Sequence, residues 1–148
     1  MKIGIVGSGA DKFTKQSEQK ARELIDMILL PYRDCAILIS GHSPVGGIDI
    51  WAEECALNFD IPMDLKIPRQ HTWNSEYGYK QRNLDIAKYS DEVHVIVVDK
   101  YPFDYKGMKF NLCYHCKLNT HIKSGGCWTG IQAQKLGKKV YWHIIKNE

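Results

Sequence analysis

The 148-residue sequence has no apolar run near the ~18 residues that a membrane-spanning helix needs, no internal repeat and no low-complexity tract. These absences argue against a membrane span, a repeat array and a disordered linker. A strong charge of one sign is missing as well. The 20 basic residues against 17 acidic ones leave a formal charge of +3 with a pI near 8.5. That balance is too mild for the dense basic face of non-specific nucleic-acid binding, but it suits a small anionic ligand. The opening "MKIGIVGSG" lacks a basic region followed by a long apolar stretch, so no secretory signal is expected. A cytoplasmic protein is expected, whose five cysteines serve as core residues or metal ligands rather than disulfides.

What is present suits a packed fold. Apolar residues at 44% and charged residues at 25% are ordinary globular values, and the length fits one domain over residues 1–148. Domains of this size frequently pair, so a homo-oligomer is compatible with it.

"KIGIVG" reads as a strand ending in glycine, and "SGADKF" as the loop after it. Over residues 14–30, Ala21, Leu24, Ile25, Ile28 and Leu29 recur at helical spacing until Pro31. The continuous apolar run "CAILIS" at 35–40 predicts a strand covered on both faces, with Cys35 in the core and Cys55 on the next apolar helix face. Further helices are predicted over 48–59, 77–89 and near 129–136, with strands at "MDLKIP", 92–98 and 139–145. Residues 99–125 show no period and read as an insertion before the last helix. Five strands alternating with four helices predict an α/β, Rossmann-like three-layer parallel sheet. Ligands in such folds sit beyond the carboxyl ends of the strands, where "GSGADKF", "SGHSPVGG" and "SGGCWTG" are expected to meet. Glycines between strand and helix let backbone N–H groups approach an anion, which makes phosphate the expected ligand group. The loop "RQHTWNSEYG" adds His71, Trp73, Asn74 and Tyr77, of which Trp73 or Tyr77 could stack a base while Asn74 bonds its edge. The same residues could simply anchor the loop.

"CYHCKLNTHIKSGGC" holds Cys113, His115, Cys116, His121 and Cys127. Cys113, Cys116, His121 and Cys127 form the preferred set for a structural tetrahedral zinc, with His115 in reserve. A redox pair Cys113-x-x-Cys116 and ordinary free thiols are the competing readings. A metal there would tie down a long aperiodic segment and fix the Gly125-Gly126 turn.

"SGHSPVGGIDIWAEECAL" resembles the glycine-rich segment and following helix of the Smf/DprA/LOG (SLOG) superfamily. "YKQRNLDIAKYSDEVHVI" with the later "SGGCWTGIQA" is similar to the LOG pattern of an arginine-bearing helix, a strand and a phosphate motif. The whole looks closest to small YspA-like members. The resemblance implies strand order 3-2-1-4-5, a phosphate cradle at Gly125, Gly126 and Thr129, and Arg82 beside it. It places Ser8 and Gly9 in the first loop and Gly46, Gly47 and Asp49 in the second, with Gly41, Asn83 and Ser124 adjoining. Where LOG proteins carry a catalytic glutamate this chain has Gln132, which cannot exchange a proton, and Trp128 stands at the third glycine. Binding of a small nucleotide or nucleotide-derived ligand, as a sensor or sequestering protein, is therefore the expected function. The alternatives are a nucleotide N-glycoside hydrolase or transferase using Glu53, Glu54 or Asp49, and a zinc-stabilised nucleic-acid or protein interaction module. Glu53 and Glu54 can equally be the solvated face of their helix.

Overall fold

The computed structural model describes residues 1–74 and 76–148. Strand β1 (Lys2–Gly7) leads through a 3-10 turn (Ala10–Lys12) into helix α1 (Lys15–Leu29). Thr14 starts this helix: its side chain accepts from the Ser17 N–H while the Ser17 hydroxyl accepts from the Thr14 N–H. There follow β2 (Ile37–Ser40), α2 (Ile48–Asn58), β3 (Met63–Leu65), α3 (Tyr79–Tyr89), β4 (Glu92–Val98), α4 (Gly125–Lys135) and β5 (Lys139–Ile145). All strand pairs are parallel, in the order β3-β2-β1-β4-β5. This is the Rossmann-like sheet that the alternation of elements predicts, in the strand order that the resemblance implies.

Alternation along the strands divides the core between the two faces. Ile3, Ile5, Leu38 and Ile96 pack with α1 and α2 on one side, against Ala21, Ile25, Leu29 and Ala52. Val6, Ile39, Val93, Val95 and Val97 pack on the other with Ile86, Ala87 and Ala133 of α3 and α4. Each fully buried aliphatic side chain contributes roughly 1.5–3 kcal/mol. Cys113 and Cys127 lie at the rim of the second cluster.

Three boundaries differ from expectation. Helix α4 starts at Gly125, ahead of the predicted 129, because the Ser124 hydroxyl caps it by accepting the Gly126 N–H at 3.1 Å. Glycine's poor helix propensity is offset there by that cap. Helix α3 starts at Tyr79 rather than 77, and β2 at Ile37 rather than 35. Cys35 is consequently exposed rather than in the core, since residues 32–35 form a turn whose last carbonyl accepts from the Met1 ammonium. Cys55 is buried as expected, its thiol donating to Asp26 Oδ1 at 3.0 Å. Residues 99–124 form the insertion, with one isolated antiparallel bridge, Cys113 to Leu118, among its described contacts.

The first turn of α4 sits directly on the end of β1. A Cβ at Gly126 would lie 2.8 Å from both Cα and N of Gly7, whereas one at Gly125 would meet nothing within 4 Å. Gly126→Ala is therefore expected to destabilise the protein by about 1–3 kcal/mol in urea unfolding. Gly125→Ala should be neutral or stabilising by up to ~1 kcal/mol. Equal losses at the two positions would show that the close approach is not what requires glycine.

Candidate functional site

Above the carboxyl end of β1 lies a cleft of about 250 Å³. Its floor is Val6, Gly7, Ser8 and Gly9, and one wall is the start of α4, with Ser124, Gly125, Gly126 and Thr129. Arg82 and Asn83 of α3 face it from a second side, Ser43, Val45 and Asp49 from a third. The insertion closes the remaining side with Tyr101, Tyr105, Met108, Phe110 and Lys123, and Lys12 reaches in from the first loop.

The polar geometry favours a negatively charged occupant. Ser8 is buried, and its hydroxyl is a buried side-chain oxygen without a hydrogen-bond partner at the cleft floor. An unpaired buried hydroxyl is costly, and at the floor of a cleft this favours a ligand atom or water that pairs with it. Helix α4, eleven residues long, points its positive end at the same space. Helix α2 does not compete for it: the Ile48 N–H donates to the Ser8 carbonyl at 3.2 Å, and Gly47 permits this with φ of 83° in close contact with that carbonyl.

Arg82 is almost buried, with 11% of its side chain exposed. Its Nη1 donates to the Gly41 carbonyl at 2.7 Å, its Nε to Asn83 Oδ1 at 2.7 Å, and its guanidinium lies over Tyr79. Asp49 Oδ2 stands 4.0 Å from Nη1 and accepts from the Ser43 N–H at 3.1 Å. Burial raises the Asp49 carboxyl to about 6, against the counteracting charge of Arg82 and the Ser43 bond. Burial also lowers the pKa of Arg82, with Asp49 working the other way.

Of the residues expected to bind ligand, Ser8, Gly9, Arg82, Asn83, Ser124, Gly125, Gly126 and Thr129 line this cleft. Gly41 lies beneath Arg82, where a Cβ would collide with the guanidinium, and Gly46 and Gly47 shape the turn into α2. Trp73 lines a second, outer cavity of about 750 Å³ and packs edge-on against Trp128, with centroids 4.8 Å apart. The Asn74 side chain is spent on its own turn, accepting from the Glu76 and Tyr77 N–H groups. His71 stacks on Tyr79, and Tyr77 lies under Arg69.

Among the acids considered for catalysis, Asp49 alone lines the cleft. Glu54 pairs with Arg22 at 2.6 Å and is half exposed. Glu53 is buried, with one oxygen accepting from the Ser40 hydroxyl at 2.7 Å and the other 2.6 Å from His42 Nδ1. His42 has a φ of 51°, unusual for a residue with a side chain. Gln132 is not part of the cleft wall.

Cys113, Cys116, His121 and Cys127 come together as the spacing suggested: their ligand atoms lie within 4.8 Å of one another. A tight turn builds the first half. The Cys113 N–H donates to the Leu118 carbonyl at 2.9 Å, the Lys117 N–H to the Cys113 carbonyl at 2.7 Å, and Lys117 adopts φ of 60°. Burial pushes the Cys113 thiol up, but backbone N–H groups of Cys116, Ser124 and His115 aimed at its sulfur bring the net shift down. Thr120 Oγ1 lies 3.0 Å from His121 Nδ1, leaving Nε2 facing Cys127 Sγ at 3.4 Å. A hydroxyl in that place would serve as the outer partner that orients a ligating imidazole. Burial lowers the pKa of His121, which favours the neutral ring a metal binds. Cys127 occupies the first turn of α4, so the cluster joins the insertion to the cleft-forming helix.

No family model and no curated protein sequence matches the chain. Among solved structures it is similar to the molybdenum cofactor carrier protein MCP from Chlamydomonas reinhardtii. The TM-score is 0.60 at 16% identity, over 95% of this chain and 74% of that one. At that identity the likeness shows a shared Rossmann-like fold. Among the described residues no helix is long and apolar enough to cross a membrane.

The sequence reading missed Lys12, Lys123, Tyr101, Tyr105, Met108 and Phe110. Lys123 immediately precedes the "SGGCWTG" stretch, and that position was the available signal. The aromatic residues lie in an aperiodic segment whose path no spacing rule gives.

The raised Asp49 carboxyl has a consequence for stability. Its ionised form opposes folding, a cost absent below the ordinary value of 3.8 and complete above about 6. Asp49→Asn is expected to flatten the pH–stability profile between pH 4 and 6 and to remove a penalty of about 2–3 kcal/mol at pH 8. Urea unfolding at constant ionic strength reads this directly; parallel profiles for the two proteins would mean that Asp49 ionises without cost.

Proposed function

We propose that the chain is a SLOG-type protein that binds a small nucleotide or nucleotide-derived ligand, serving as a sensor, carrier or sequestering protein. The observation that carries this reading is the unpartnered, buried Ser8 hydroxyl at the cleft floor, facing the same space as the N-terminus of α4. A phosphate seated there would accept from Ser8, from the Gly125 N–H at the start of α4, since the Gly126 and Cys127 amides already donate to Ser124, and from the free edge of the Arg82 guanidinium. Lys12 and Lys123 add positive charge at the rim. In this reading Asn83 and Asp49, which line the cleft, would meet hydroxyl or amide groups next to the phosphate. The structural likeness to a molybdenum cofactor carrier protein is compatible with holding a small ligand rather than transforming it.

In this reading Cys113, Cys116, His121 and Cys127 hold a structural zinc. Three thiolates and an imidazole are a closed tetrahedral set, with no position left for a reactive water. The redox reading of Cys113 and Cys116 fits less well, because a histidine and a third cysteine share their cluster. A second functional reading, cleavage or transfer at an N-glycosidic bond, is favoured by one observation: the Asp49 carboxyl, raised to about 6, lies in the cleft and could exchange a proton near neutrality. Incubation with nucleoside monophosphates separates the two, since free base released by the wild type and not by Asp49→Asn would establish the enzyme.

Arg82→Ala should weaken binding of a nucleoside monophosphate at least tenfold while changing binding of the parent nucleoside less than twofold, by calorimetry. Equal losses for both ligands would show that Arg82 does not meet phosphate. Protein purified without chelator should carry close to one zinc per chain, and stripping it should lower monophosphate affinity as well as thermal stability. Full binding by metal-free protein with intact thiols would remove the link between the cluster and the cleft.

A further inference from the structure

The inner cleft and the outer cavity share a partition. Ser43, Val45, Arg82, Asn83, Lys123 and Gly125 line both. The cationic groups and the first residue of α4 therefore stand between two spaces, not at the end of one. Each space has its own aromatic wall. On the inner side Tyr101 stacks on Tyr105 with centroids 4.8 Å apart, and Lys12 lies 4.8 Å over the Tyr105 ring. On the outer side are Trp73, Trp128 and Tyr114, with Trp73 54% and Tyr114 50% exposed.

A mononucleotide carries its anion at one end and a single ring at the other. Seated with its phosphate on the partition, it would cover one wall and leave the second aromatic surface to water. A molecule with its charge in the middle and a planar ring at each end matches both walls at once. Lys123, over Phe110 at 5.4 Å and over Tyr114 at 5.5 Å, stands between the two walls, where a central diphosphate would need its positive charge.

We propose that the site takes a dinucleotide-type ligand: two planar heteroaromatic ring systems joined through a central diphosphate, one ring against Tyr101 and Tyr105, the other against Trp73 and Trp128. This rests on the phosphate-binding reading above and adds the number of rings and the position of the charge. Linking the halves makes the second contact intramolecular, so affinity rises without any new group on the protein.

The test titrates the full chain with inorganic pyrophosphate, adenosine monophosphate, diadenosine diphosphate and flavin adenine dinucleotide by calorimetry. At least one dinucleotide is expected to bind tenfold or more tightly than adenosine monophosphate. Trp73→Ala and Tyr105→Ala, each on its own wall, should reduce that advantage to threefold or less while leaving pyrophosphate affinity within twofold. Thermal melting confirms that the variants are folded, and Trp73→Leu and Tyr105→Leu replace any that are not. If pyrophosphate binds but neither dinucleotide exceeds the monophosphate, the two-ring proposal fails and the phosphate reading stands. An advantage that survives loss of either wall also overturns it. If pyrophosphate and the nucleotides all fail to bind, both readings fall.

Discussion

The contact on which the site depends is the approach of two backbones, Gly126 at the start of α4 against Gly7 at the end of β1. A side chain on Gly126 would force the helix away from the strand and lift its N-terminal amides from the space above Ser8. The contact also explains why two helices starting at nearly the same place differ in role. Helix α2 spends its first amide on the Ser8 carbonyl, whereas the start of α4 faces the cleft. One N-terminus holds the loop; the other is capped by Ser124, which takes the Gly126 and Cys127 amides, and turns its Gly125 end toward the cleft.

The insertion adds the remaining wall of the cleft to this backbone arrangement. Residues 99–124 have little regular structure, and ordering such a segment costs roughly 1–2 kcal/mol per residue in backbone entropy. Hydrogen bonds tie it at its ends, from the Asp99 N–H to the Ile145 carbonyl and from the Ile122 N–H to the Val98 carbonyl. Between them the proposed metal cluster is the strongest available restraint, since structural zinc sites contribute on the order of 10 kcal/mol to folding. Cys127 lies one residue beyond Gly126, and Tyr114 and His115 stand between two of the ligands. A metal bound there would make the cluster, the placement of α4 and the cleft wall physically one unit.

The strands and helices were legible because their signals are local. Continuous apolar runs such as residues 92–98 mark a doubly covered strand, and the spacing of Ala21, Ile25 and Leu29 marks a buried helix face. Strand order followed from the resemblance and could not be read from spacing. The Cys/His cluster was legible because its four members fall within fifteen residues, leaving few ways to separate them in space. Cys35 was misplaced because an apolar run does not show where a strand's hydrogen bonding begins. The aromatic wall was invisible for a different reason: Tyr101, Tyr105 and Phe110 reach the cleft only because the insertion folds back, a path fixed by tertiary contacts. Glu53 and Glu54 show the limit of composition. They are adjacent in sequence, yet one is locked between Ser40 and His42 and the other pairs with Arg22 at the surface.

The electrostatics favour holding a ligand over cutting it. Arg82 is fixed by Gly41, Asn83 and the Tyr79 ring before any ligand arrives, so little side-chain entropy remains to be lost on binding. Asp49 beside it balances part of its charge in the unliganded state and would oppose an entering anion. Its raised pKa provides the release: taking up a proton near pH 6 removes the repulsion and lets the carboxyl donate instead of accept. A fixed cation with a neutralisable neighbour suits discrimination by charge and hydrogen-bond pattern. Cleavage of a glycosidic bond would further need a group that delivers a proton to the leaving base. Glu53 is already committed to two partners and Gln132 lies outside the cleft wall, so that duty would fall on Asp49 as well.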